Sequence, residues 1–104
     1  MKIIINNKEY DFVLRGTVGL VYMAERMLGE PFKSDSKYHL AVLYYACLKA
    51  SNKGRDIDNL DLQEFISSLT SKMLSDISEY FWTRWEELEG AAPSDEKEDT
   101  KGED

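Results

Sequence analysis

The chain has 104 residues, 42% of them hydrophobic and 32% charged, which is the profile of one small globular domain and not of a disordered chain. Its net charge of −7 opposes non-specific binding to nucleic acid, which depends on Lys and Arg neutralising phosphates. No apolar run approaches the roughly 18 to 20 residues that span a bilayer, Met1-Lys2-Ile3-Ile4-Ile5-Asn6 is too short for a signal peptide, and the one cysteine, Cys47, forms no internal disulfide, so the compartment expected is the cytoplasm.

Ile3-Ile4-Ile5 and Tyr10-Asp11-Phe12-Val13-Leu14 are β-favouring runs joined through Asn6-Asn7. Asn tolerates the positive φ that a two-residue type I′ turn requires twice. Pairing Ile5 with Lys8 sets Ile3 opposite Tyr10, so Ile3, Ile5, Tyr10, Phe12 and Leu14 share one apolar face. Two strands alone are marginal, so helices must cover that face. Gly16-Thr17 breaks the strand, and Thr17 is placed to cap a helix over residues 18–28. In that helix Leu20, Val21, Ala24, Met27 and Leu28 recur at helical spacing, and Gly29 with Pro31 stops it.

A second helix is predicted from Ser36 to Ala50; its stretch from Leu40 to Leu48 is apolar nearly all round, the mark of a helix buried on several sides. Asn52-Lys53-Gly54-Arg55-Asp56 reads as a turn-rich connection. Asp61 with Glu64 forms a capping box for a short helix over 62–69. A last helix over 72–88 puts Leu74, Ile77, Phe81, Trp85 and Leu88 on one stripe. The fold class is therefore α+β, mainly α: an N-terminal two-stranded antiparallel hairpin packed on a small bundle of about four helices. The globular domain is expected over 1–89. Residues 90–104 hold six acids against two lysines and almost no apolar side chains, the composition of a disordered acidic tail.

Little in the sequence points to catalysis. His39 is the only histidine, and with Cys47 it cannot supply the four ligands of a structural zinc site. The two lie eight residues apart on one predicted helix, roughly 12 Å, too far for a Cys–His pair; Cys47 reads as core and His39 as a surface or boundary residue. Ser34-Asp35-Ser36-Lys37 matches an S-x-x-K pattern, but its companion motifs are missing, and helix capping explains these residues. Gly16-Thr17-Val18-Gly19 opens a helix after a strand yet lacks the glycines and lysine of a phosphate loop. Asp56, Asp58 and Asp61 miss the spacing of a calcium loop. Catalytic, cofactor-binding and metal-binding residues are accordingly expected to be none, and the chain reads as no enzyme.

The segment Tyr80-Phe81-Trp82-Thr83-Arg84-Trp85 is the most unusual. Phe81 and Trp85 continue the core stripe, while Trp82 falls off it, about 100° around the helix from Phe81. Tyrosine, tryptophan and arginine are enriched at protein–protein hot spots, so Tyr80, Trp82 and Arg84 are the candidate protein-binding residues, against the alternative that these aromatics only close a small core.

Taken in order, Ile3-Ile4-Ile5-Asn6-Asn7-Lys8-Glu9-Tyr10, Leu20-Val21-Tyr22-Met23-Ala24-Glu25, Leu43-Tyr44-Tyr45-Ala46-Cys47-Leu48-Lys49 and Leu62-Gln63-Glu64-Phe65-Ile66 resemble the tail assembly chaperones of long-tailed phages and prophages, over residues 2–88. Asn7 departs from the glycine usual in that family's hairpin. The resemblance implies a non-enzymatic protein without cofactor that binds the tape measure protein and recruits tail tube subunits in the cytoplasm of a bacterial host, with homo-oligomerisation left open and neither nucleic acid nor membrane as partner. The other reading of the same residues is a structural or regulatory adaptor of the bacterial cytoplasm unrelated to phage.

Overall fold

A computed structural model describes residues 1–53 and 60–90 of the chain. The order is β1 (Lys2–Ile5), β2 (Lys8–Asp11), α1 (Val18–Leu28), α2 (Lys37–Ser51), α3 (Leu62–Ser68) and α4 (Ser71–Gly90). The architecture is α+β, mainly α, with one antiparallel hairpin and four helices among the described residues. The acidic segment 91–104, most of the 52–56 connection and the Asp56/Asp58 pair lie outside them.

The hairpin has the register that its apolar alternation demands. Ile5 pairs with Lys8 and Ile3 with Tyr10, and Asn6 and Asn7 take φ of 53° and 67°, the left-handed pair of a type I′ turn. Ile3, Ile5, Tyr10, Phe12 and Leu14 are all buried. The second strand is shorter than its β-favouring run. Phe12 still exchanges backbone hydrogen bonds with Met1 at 2.9 and 3.0 Å, and beyond it helix side chains take over the backbone. Ser51 Oγ accepts from Val13 N–H at 2.9 Å, Tyr80 Oη accepts from Leu14 N–H at 3.3 Å, and Arg84 Nε donates to Leu14 O at 3.2 Å. Asn52, itself buried, clamps Asp11 on both sides, accepting from its N–H at 3.1 Å and donating to its carbonyl at 2.8 Å. The backbone groups of Asp11, Val13 and Leu14 are thus met by side chains rather than by a third strand.

α2 is the centre of the core, as its all-round apolar stretch implies: Val42, Leu43, Tyr44, Ala46 and Leu48 are fully enclosed. Ser36 caps it, accepting from His39 N–H at 3.2 Å. Around α2 the buried side chains Phe12, Phe65, Ile77 and Phe81 complete one cluster with the hairpin and α1. In α4 only Ile77 and Phe81 of the expected stripe are buried, while Leu74, Trp85 and Leu88 are half-buried.

Three local expectations need correction. Thr17 makes no side-chain cap to α1; its hydroxyl donates to Glu89 Oε2 at 2.7 Å, which brings a carboxylate to the N-terminal end of α1, where the helix dipole favours it. Half of the capping box at α3 forms: Asp61 accepts from Glu64 N–H at 2.8 Å, but the Glu64 carboxylate is taken by Asn6 Nδ2 at 2.6 Å, tying the hairpin turn to α3. His39 is 4% exposed and no surface residue. The backbone N–H of Lys33 donates to its Nδ1 at 2.9 Å, so the proton sits on Nε2, which donates to Glu30 at 3.2 Å. The imidazole is a peg for the α1–α2 loop, and its polar atoms are satisfied by that loop instead of by water.

Candidate functional site

Tyr80, Trp82 and Arg84 are half-buried, and the structure does not bring them together on one surface. Tyr80 and Arg84, four residues apart and so on one face of α4, bracket the Leu14 peptide. Together with Glu79, Thr83 and Glu87 they line a shallow depression of about 340 Å³. Trp82 lies on another side: its Nε1 donates to Tyr44 Oη at 2.9 Å, and Ser78 Oγ is the second partner of that hydroxyl at 2.9 Å. All three side chains therefore have polar partners inside the domain. The rings do form a continuous cluster, with Phe81 edge-to-face on Trp82 at 4.8 Å and Trp82 tilted against Trp85 at 5.3 Å, centroid to centroid.

Trp85 leads from that cluster to a surface that the core pattern did not reveal. An open groove of about 390 Å³ runs between α1 and the C-terminal part of α4, lined by Val18, Val21, Tyr22 and Trp85 together with Glu25 and Glu89. On α1, Val18 is 81% exposed, Tyr22 60%, Met27 40% and Met23 37%. Met23 continues the apolar surface into a second depression beside Gly19 and Leu20. Met27, expected on the core stripe, falls at the edge of a buried face formed by Leu20, Ala24, Val21 and Leu28. Arg26 lies over the Tyr22 ring at 5.8 Å. The signal for this surface is present in the chain: the run from Val18 to Leu28 carries apolar residues on every side, more than a helix with one core face needs.

Cys47 is buried as expected, its thiol donating to Val13 O at 3.6 Å. Burial pushes its pKa up from 9.0 to about 11, against a smaller lowering by Ser51. No group of three or more His, Cys, Asp or Glu able to hold a metal occurs among the described residues. No described helix is long and apolar enough to cross a membrane.

No family model, no curated protein and no solved structure matches the chain.

Proposed function

We propose that the protein is a non-enzymatic protein-binding module of the tail assembly chaperone type, which holds the tape measure protein and recruits tail tube subunits to it. The observation that carries this reading is the exposed apolar surface of α1, where Val18 and Tyr22 stand in solvent at 81% and 60%. Large apolar side chains exposed together, beside a groove, mark a place where another protein completes the burial. The order of hairpin, first helix, apolar helix, short acidic helix and final helix, with the motifs quoted above, supplies the choice of client. Trp82 touches Trp85, which lines the groove, whereas Tyr80 and Arg84 line a separate depression on another side of α4.

Co-expression with the tape measure and tail tube products of the same gene cluster tests the reading. Co-purification of the wild-type chain with at least one of them is the expected result. Binding to neither removes the chaperone assignment and leaves the adaptor reading standing.

A further inference from the structure

The groove between α1 and α4 combines an apolar lining with acidic side chains. Half-buried Val21 and Trp85 and exposed Val18 and Tyr22 supply the apolar part. Glu25 and Glu89 line it too. Glu25 Oε2 accepts from Phe32 N–H at 2.9 Å and Glu89 Oε2 from the Thr17 hydroxyl at 2.7 Å, so each keeps its negative charge at a fixed place. Glu86 is exposed one turn of α4 away. The only cation among the neighbouring α1 residues, Arg26, lies over Tyr22. An apolar groove lined by carboxylates complements an apolar stripe flanked by cations.

We infer that this groove docks a basic amphipathic helix, its apolar stripe seated on Val18, Tyr22 and Trp85 and its Lys and Arg side chains facing Glu25 and Glu89. The inference rests on the protein-binding reading above and specifies the chemistry of the client segment. α1 offers 11 residues, roughly 16 Å, for such a helix to lie along. Docking covers Val18 and Tyr22 without disturbing the core, because neither belongs to the buried cluster.

The probe is a labelled synthetic helix of about 18 residues with a leucine stripe and lysine flanks, long enough to cover α1. Its control has the same stripe with glutamate flanks. Titrated against the full-length protein, the lysine peptide should bind at least tenfold more tightly than its control. That preference should shrink several-fold between about 0.05 M and about 0.5 M salt as the charges are screened. Val18→Asp and Tyr22→Ala, both at exposed positions, should keep the thermal midpoint and weaken the lysine peptide tenfold or more. Equal binding of the two peptides, or binding unchanged in both variants, overturns the inference; should Val18→Asp lower the midpoint, Tyr22→Ala alone decides. Co-purification of tail proteins that persists undiminished in both variants overturns the groove as docking site while the chaperone reading stands. Failure of the wild-type chain to co-purify with them overturns that reading, and the peptide titration then judges the groove by itself.

Discussion

Cys47 and Trp82 show how much one side chain's surroundings decide. The Cys47 thiol, 1% exposed and held near the Val13 carbonyl, has its pKa raised by burial from 9.0 to about 11. A raised acid pKa means that the unfolded chain releases this proton first. Stability is therefore unaffected below pH 9 and falls as pH rises from about 9 to about 11, by roughly 2 to 3 kcal/mol from this group alone. Urea titrations of the wild type and of Cys47→Ala at pH 8 and pH 10.5 check the sign: the alkaline loss should be smaller in the variant. Trp82 is tied to Tyr44 by its indole N–H and packed edge-to-face on Phe81 and tilted against Trp85. Trp82→Phe should cost about 1 kcal/mol, since Ser78 still satisfies the Tyr44 hydroxyl, and Trp82→Ala about 2 kcal/mol or more. A double-mutant cycle with Tyr44→Phe measures the shared bond; additivity of the two losses would show that the hydrogen bond contributes nothing.

At the scale of elements, the hairpin depends on α2 and α4 more than on its own ladder. Asn52, 1% exposed, bonds the Asp11 N–H and carbonyl and also Leu48 O at 2.7 Å. Asn52→Ala should destabilise the domain by about 2 to 4 kcal/mol, because Asp11 N–H and carbonyl at the end of β2 and the Leu48 carbonyl of α2 lose these bonds. Asn52→Asp should be worse still, since it replaces two donated bonds by a buried charge. Denaturant unfolding gives both values, and a loss no larger than that of an exposed substitution would refute the clamp. The elements themselves were legible because their signals are local: Asn6-Asn7 for the turn, Gly29 for the end of α1, Ser36 and Asp61 for caps. The clamp was not legible, because nothing in Asn52 distinguishes a turn residue from one that reaches back 41 positions to Asp11. His39 was misplaced for the same reason, its partners Glu30 and Lys33 lying in a loop whose path no periodicity describes. The candidate site was half legible. The hot-spot residue types drew attention to Tyr80, Trp82 and Arg84, whereas the all-round apolar run of α1 marks a surplus apolar side without saying which, and Leu20 and Ala24 on the buried face decide it.

For the molecule as a whole, the side-chain bonds that finish the N-terminal segment come from ever more distant parts of the chain. Val13 waits for Ser51, Leu14 for Tyr80 and Arg84, and Thr17 for Glu89, at separations of 38, 66, 70 and 72 residues. On the ribosome those separations become time. At about 5 to 20 residues per second, Thr17 emerges roughly 4 to 14 seconds before Glu89, whereas a hairpin closes in microseconds and gains little stability alone. The hairpin is thus made well before the residues that lock it, and for seconds Ile3, Ile5 and Phe12 depend on whatever else covers them. Ribosome-stalled chains ending before Tyr80 should be cut rapidly by protease within residues 1–15, and chains extended past Glu89 and clear of the exit tunnel should resist. Equal resistance at both lengths would mean that the hairpin is secured without its C-terminal partners.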